Sequence, residues 1–143
     1  MGMRVLIDTN VVLDYILNRE PYSESARKIV AACEKRKISG CIAAHTVSNM
    51  FFILRKVYTI AERKEILLAV CTLFDVECVD TGKIQNALKN DEFDDFEDCL
   101  QMECAKEYHA DYIVTRNVAD FSGSDIPCVE PEQMCEMFQD ILG

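Results

Sequence analysis

The stretch Val5-Leu6-Ile7-Asp8-Thr9-Asn10 decides the predicted fold. Three consecutive apolar residues indicate a buried strand, and the run ends at a carboxylate that is followed by two small polar residues. Apolar residues with helical spacing follow between Val11 and Ile16. In open α/β sheets, ligands bind beyond the carboxyl ends of the strands, so we expect Asp8 at the edge where a site would form.

Length and charge restrict the class of protein. The 143 residues suit a single domain, 1–143, with a substantial core. The net charge of −10 argues against binding nucleic acid through overall charge, although a local basic strip could still do so on an acidic body. No apolar run approaches the ~20 residues that span a bilayer, and the sequence starts in a strand instead of a signal peptide. We therefore expect a cytoplasmic protein that does not associate with membranes.

Eight cysteines are many for this length. No two of them have the two-residue gap of a zinc knuckle or a redox motif. Most lie in apolar stretches such as 67–71, where a thiol behaves as a small hydrophobic group. The sequence therefore predicts reduced, buried thiols.

Short apolar strands alternate with helical patterns along the whole chain. Strands are predicted at 4–8, 39–42, 76–79, 112–115 and 127–129, and helices at about 10–17, 23–36, 45–57, 61–74, 81–90, 95–108 and 131–141. This alternation is typical of a parallel sheet that is covered on both faces. The predicted fold class is a three-layer α/β/α sandwich with a central parallel sheet.

A second source of carboxylates lies at the start of the predicted helix 95–108. Asp95 lies at its beginning and Asp98 in its first turn, where the helix dipole favours acids, so capping alone could explain one acid there. Asp98 shares its helix face with apolar residues four and seven positions further on, and an inward carboxylate is costly unless it is paired or binds a cation. We interpret Asp8 and Asp98 as ligands of Mg²⁺ or Mn²⁺, which prefer oxygen donors.

Metal-assisted hydrolysis is the chemistry that this residue set favours. Carboxylates and waters around one or two ions can generate a hydroxide and hold a phosphodiester for in-line attack. The two histidines, His45 and His109, lack a Ser or Cys partner at a recognisable spacing, and there is no glycine-rich phosphate loop. A haloacid-type phosphohydrolase is disfavoured because it would need an Asp at position 10, which is Asn10.

Three segments together resemble the PIN domain family, and specifically its small prokaryotic members that include VapC-type toxins. They are VLIDTNVVLDYIL at 5–17, HTVSNMFFILRK at 45–56 and DFEDCLQMECAKEYHADYIVTRNVADF at 95–121. The resemblance implies a magnesium- or manganese-dependent ribonuclease with a four-acid centre. It also implies an RNA substrate, a homodimer and an antitoxin protein as partner.

The resemblance assigns roles to individual positions. Asp8 matches the first acid of the family and Asp98 the third, with Asp95 as a further candidate ligand. Asn117 lies where many members carry the fourth acid, and Asp120 belongs to the Asn-x-x-Asp-Phe element that closes the motif. Small polar residues match those that support the site in the family: Thr9, Asn10 and Thr115.

One departure from the family pattern affects the functional prediction. The second acid of the family falls at Asn49, which offers a cation a neutral oxygen without charge. With Asn117 at the fourth position, metal affinity should be lower, although Asp95 or Asp120 could compensate. Two functions therefore remain open, an active ribonuclease and a catalytically weak or inactive PIN scaffold that binds RNA or a protein.

Three basic residues are candidates for contacts with RNA or with acids of the site. Arg116 could hold a phosphate or form a salt bridge with a nearby acid. Arg55 and Lys56 end the predicted helix that carries Asn49, and we expect them to contact the RNA backbone.

Overall fold

The computed structural model describes residues 2–143 and contains a five-stranded parallel sheet flanked by eight α-helices. The strands are β1 Arg4–Ile7, β2 Ser39–Ala43, β3 Asp75–Glu77, β4 Tyr112–Val114 and β5 Cys128–Val129. The helices are α1 Thr9–Ile16, α2 Ser23–Glu34, α3 Ala44–Ile53, α4 Ile60–Leu73, α5 Thr81–Lys89, α6 Phe96–Glu107, α7 Pro131–Met137 and α8 Gln139–Leu142. Short 3₁₀ turns lie at Leu54–Lys56 and Val118–Phe121.

The order of the strands across the sheet is β3-β2-β1-β4-β5. β1 is central, and its Val5 is in register with Gly40 of β2 on one side and with Tyr112 of β4 on the other. The chain builds outward from β1 in one direction and then returns to build in the other. The carboxyl ends of β1 and β4 therefore form the switch point where α/β folds place their ligands.

Side chains of β1 alternate between two cores, which shows that helices cover both faces. Val5 and Ile7 belong to the larger core with the apolar sides of α1 and α2. Leu6 points the other way, into a smaller core that α6 dominates. Burial on both faces explains the nearly continuous apolar sequence of this strand, and the predicted three-layer α/β/α sandwich is confirmed.

Two predicted helices are interrupted in the structure. The helix expected at 45–57 consists of α3 followed by a 3₁₀ turn. The helix expected at 131–141 is divided into α7 and α8 at Phe138, whose φ of −125° and ψ of 44° are not helical. The Phe138 ring packs edge-on against Tyr112 with 5.9 Å between ring centroids, a long-range contact that local periodicity does not reveal.

The cysteines only partly match the prediction of buried thiols. No disulfide joins them within residues 2–143. Cys33, Cys41, Cys99 and Cys104 are buried. Cys71 and Cys78 are exposed, which corrects the prediction for them. α4 buries only the stripe that contains Leu67 and Val70, and Cys78 follows β3 at the edge of the sheet. Cys128 and Cys135 are half-buried.

Among the helices of residues 2–143, none is both long and apolar enough to cross a bilayer.

Candidate active site

A cleft of about 660 Å³ lies at the carboxyl edge of the sheet, where β1 ends and where α3 and α6 begin. It gathers most of the site residues that the sequence predicts, because parallel strands direct their following segments to the same edge. Those residues are Asp8, Thr9, Asn10, Asn49, Asp95, Asp98, Asn117 and Asp120. Further lining comes from His45, Ser48, Phe52, Ile53, Glu97, Gln101 and Phe121.

The Asp8 carboxylate is buried and held by two side-chain donors. Its residue is only 4% exposed, and its main-chain N–H donates to the Val114 carbonyl at 2.9 Å. Thr115 Oγ1 donates to Oδ2 at 2.8 Å, and Gln101 Nε2 donates to Oδ1 at 2.9 Å. Since both oxygens are bonded, the orientation of the carboxylate is fixed.

Two threonines brace the segments around Asp8. Thr115 is fully buried, and besides donating to Asp8 it accepts a 3.0 Å hydrogen bond from the main-chain N–H of Asn117. This bond ties the loop that carries Asn117 to the end of β4. The Thr9 and Thr46 hydroxyls lie 3.1 Å apart and join the first turns of α1 and α3.

Asp98 lies in the first turn of α6, beside the cap of that helix. Its main-chain N–H donates to Asp95 Oδ1 at 2.9 Å, so Asp95 is the N-cap residue and keeps its second oxygen for another partner. Burial, followed by the negative charges of Asp95, Asp8 and Asp120, raises the pKa of the Asp98 carboxyl to about 7. The cleft thus concentrates negative charge, which a divalent cation would neutralise.

We tested whether these residues suit Mg²⁺ or Mn²⁺. Within residues 2–143, no three His, Cys, Asp or Glu side chains come together as a preformed metal cage. The cleft instead offers the carboxylates of Asp8 and Asp98, the amides of Asn49 and Asn117, and the Gln101 amide, whose Oε1 is buried without a hydrogen-bond partner. Mg²⁺ characteristically binds through one or two carboxylates and keeps several waters. The donor set therefore fits a largely hydrated cation.

Four predicted residues do not line this cleft; one is Thr115, which is fully buried, and the other three are basic. Arg116 forms a bidentate ion pair with buried Asp14, at 2.7 and 3.1 Å, which is the salt-bridge alternative of the sequence interpretation. Arg55 lies over the ring of Phe52, 3.6 Å from its centroid, and donates to the Phe52 carbonyl at 2.9 Å. Lys56 is exposed in the adjacent 3₁₀ turn.

Sequence reasoning assigned no site role to four polar residues of the cleft, and two of them, His45 and Gln101, form hydrogen bonds between its elements. His45 Nε2 lies 3.1 Å from the Glu97 carbonyl and so links α3 to α6, while its Nδ1 is buried without a partner and burial lowers the pKa of the ring. Gln101 is 3% exposed and contacts Asp8. It lies three residues after Asp98, on the same side of α6, so an uncharged polar residue between Leu100 and Met102 was the available signal.

A family comparison identifies the class of protein. A sequence model of the PIN domain family matches residues 4–119 of this chain. The chain therefore belongs to the PIN domain family, whose members are generally nucleases. Among curated protein sequences, none matches this chain.

Solved structures with the same fold come from toxin–antitoxin systems. A toxin–antitoxin complex from Klebsiella pneumoniae superposes with a TM-score of 0.66 at 19% identity, covering 89% of this chain and 97% of the other. VapBC2 from Rickettsia felis, bound to a promoter DNA fragment, gives 0.64 at 13% identity, with 90% and 98% covered. VapC20 from Mycobacterium tuberculosis, a toxin that cleaves the sarcin-ricin loop, gives 0.61 at 15% identity, with 76% and 86% covered. At these identities the likeness establishes the fold alone.

Proposed function

We propose that this chain is a Mg²⁺- or Mn²⁺-dependent endoribonuclease and the toxin of a toxin–antitoxin pair. The observation that carries the proposal is the placement of two carboxylates, Asp8 and Asp98, in one cleft at the switch point of the sheet. They lie 90 positions apart in the sequence, and the PIN family to which the chain belongs is generally composed of nucleases.

The charge of the cleft supports dependence on a cation. Among the described residues that line it there is no Lys or Arg, whereas Asp8, Asp95, Glu97, Asp98 and Asp120 are all acids. A phosphodiester would be repelled from this surface unless a cation lay between them. When bound, the divalent cation would activate a water and neutralise charge that develops on the phosphate.

Each side chain of the cleft has a distinct role in this proposal. Asp8 and Asp98 hold the cation, with the second oxygen of Asp95 within the same acidic cluster. Asn49 and Asn117 add neutral amide groups that can accept from bound waters or donate to phosphate oxygens. Asp120 adds negative charge close enough to raise the pKa of Asp98, and so strengthens attraction for the cation.

RNA reaches the acidic centre over a surface at the end of α3. Phe52 lines the cleft and is 60% exposed, and the Arg55 guanidinium is stacked on its ring. Aromatic rings and guanidinium planes are the groups on which unpaired bases stack. We assign Arg55 and the neighbouring Lys56 to contacts with the RNA backbone, outside the acidic part of the cleft.

An antitoxin protein is the partner that we propose for this chain. Solved structures with the same fold include toxin–antitoxin complexes, which motivates the proposal. Large apolar side chains are exposed in the segment that follows the 3₁₀ turn after α3. Val57 is 62% exposed and Ile60 is 58% exposed. We further propose that the toxin is a cytoplasmic homodimer. A short reading frame that encodes a DNA-binding motif beside this gene, and co-purification of its product, would support the pairing.

The second candidate function is a PIN scaffold that binds RNA or a protein and cuts nothing. The observation that favours it is the replacement of two expected acids by Asn49 and Asn117. In addition, no three His, Cys, Asp or Glu side chains of residues 2–143 are already arranged to hold a metal ion. It predicts RNA binding that is independent of divalent cations.

An RNA cleavage assay with matched variants separates the two functions. Purified wild-type protein, Asp8→Asn and Asp98→Asn are incubated with labelled single-stranded and structured RNA in Mg²⁺, Mn²⁺ or EDTA. Asp94→Asn is the control, because Asp94 is exposed and adjacent to the cluster but does not line the cleft. We expect cleavage by wild type and by the control, and none by the other two variants or in EDTA. Wild-type cleavage no greater than that of Asp8→Asn, in either metal, would favour the scaffold.

A further inference from the structure

The Gln101 side chain is buried, and only one end of its amide has a partner. Gln101 is 3% exposed, lies on α6 and contributes to the cleft wall. Its Nε2 donates to Asp8 Oδ1 at 2.9 Å, whereas Oε1 is buried and has no hydrogen-bond partner. A carboxylate oxygen only accepts, so the nitrogen must face Asp8 and the orientation of the amide is determined.

A buried carbonyl oxygen without a donor requires a physical explanation. Such atoms are rare in folded proteins, because losing hydration without a replacement bond is unfavourable. A bound water or ion is a common explanation for one. An apolar side chain at position 101 would avoid that cost. The amide is therefore retained for a contact that the protein atoms alone do not complete.

The position of Gln101 connects it to both proposed cation ligands. It hydrogen-bonds to Asp8, and it follows Asp98 by three residues, so the two side chains lie on the same side of α6. A hydrated cation held by these carboxylates would present water protons to acceptors around it. Oε1 is an acceptor of this kind.

We propose that Gln101 is a positioning residue for the cation site, with Nε2 fixing Asp8 and Oε1 accepting a hydrogen bond from a cation-bound water. The inference rests on the proposed metal-dependent function and deepens it. It explains how a site with two acids exchanged for Asn49 and Asn117 can still orient its cation, since a neutral amide stabilises the hydration shell without adding charge.

Cation binding measured without RNA tests this role. Mn²⁺ affinity is determined by titration calorimetry for wild type and Gln101→Met, which has a similar length but no hydrogen-bonding amide. The melting temperature is recorded with and without Mn²⁺. We expect Gln101→Met to weaken Mn²⁺ binding by roughly 10-fold to 100-fold, the usual effect of losing a residue that orients a metal ligand. The Mn²⁺-induced rise in melting temperature should shrink accordingly.

The chain offers a matched control between α5 and α6. Asn86 Nδ2 on α5 donates to Glu103 Oε1 on α6 at 3.1 Å, an amide–carboxylate bond whose residues do not line the cleft. Asn86→Ala should leave Mn²⁺ affinity unchanged. Gln101→Leu serves as a second variant in case methionine disturbs packing. It also removes the amide without adding charge, so its Mn²⁺-induced rise in melting temperature should shrink to a similar extent.

The outcomes distinguish this inference from the proposed function. The inference would be overturned if Gln101→Met kept the wild-type Mn²⁺ affinity and showed only a lower melting temperature. Oε1 of Gln101 would then bind an ordinary structural water. An unaltered Mn²⁺ response in Gln101→Leu would do the same. If wild type itself bound no Mn²⁺, both the inference and the metal-dependent function would fail.

Discussion

Replacing Arg116 by methionine should destabilise the fold by about 3 kcal/mol. The guanidinium makes bonds of 2.7 and 3.1 Å to the Asp14 carboxylate, whose side chain is 1% exposed, and it is stacked on the ring of Tyr22 at 4.0 Å. Arg116→Met keeps much of the apolar stem but leaves a buried carboxylate without its main partner.

The size of the effect follows from what remains around Asp14. Removing one member of a buried ion pair typically costs roughly 3–5 kcal/mol. Arg19 remains 3.6 Å from Asp14 with a side chain that is 35% exposed, so it compensates in part and places the cost near the lower limit. An unfolding entropy of roughly 2.1 cal/mol/K per residue, over 143 residues, converts this cost into a fall in melting temperature of about 10 °C.

Chemical denaturation and calorimetry of three variants provide the test. Arg19→Met is the matched control, because Arg19 is the more exposed partner and lies 3.6 Å from Asp14 with no closer bond, so its loss should cost only about 1 kcal/mol. Asp14→Leu combined with Arg116→Met removes both charges and should recover part of the lost stability. The reasoning is wrong if Arg116→Met loses less than about 1 kcal/mol, or if Arg19→Met is equally destabilised. A stable Arg116→Met that no longer cleaves RNA would instead assign Arg116 to phosphate binding.

Three further predictions concern single contacts. Thr115→Val removes the 2.8 Å donor to Asp8, so urea denaturation should show a loss of about 2 kcal/mol; an unchanged midpoint would contradict this. Gly123→Ala would place a Cβ 2.5 Å from the main-chain oxygen of Glu92, in the loop before α6. Thermal denaturation should show a loss of stability of roughly 1–3 kcal/mol. Gly2→Ala, whose Cβ would meet open space, should show no such loss. Exposed Cys71 should react with a disulfide reagent at pH 8 at least about 100-fold faster than Cys33. The reason is that only the thiolate reacts and that burial raises the pKa of Cys33 to about 12. Equal reaction rates would refute this.

Short-range patterns were sufficient for the elements that build the cleft. The apolar run that ends at Asp8 and the acid-rich start of α6 each carry their own signal, and both elements form where it predicts them. The rule that parallel strands place their carboxyl ends at one edge then brings Asp8 and Asp98 to the same cleft. The fold and the gathering of the main acids therefore follow from local sequence together with one topological rule.

Pairings between distant segments could not be predicted in the same way. Asp14 lies among apolar residues of α1, and its burial is explained only by Arg116, 102 positions further along the chain. Gln101 gives no local sign that its amide will meet Asp8. The exposure of Cys71 depends on which stripe of α4 packs against α2, and this is decided by tertiary packing rather than by hydrophobicity.

The two hydrogen bonds that orient Asp8 join it to residues 93 and 107 positions later in a chain of 143. During synthesis, the first strand therefore leaves the ribosome long before either donor exists. A nascent chain in which Thr115 has not yet left the ribosome cannot complete the cleft, even if its earlier helices have already folded. For a protein proposed to cut RNA, this order of assembly delays a working site until the segment that follows β4 has been made.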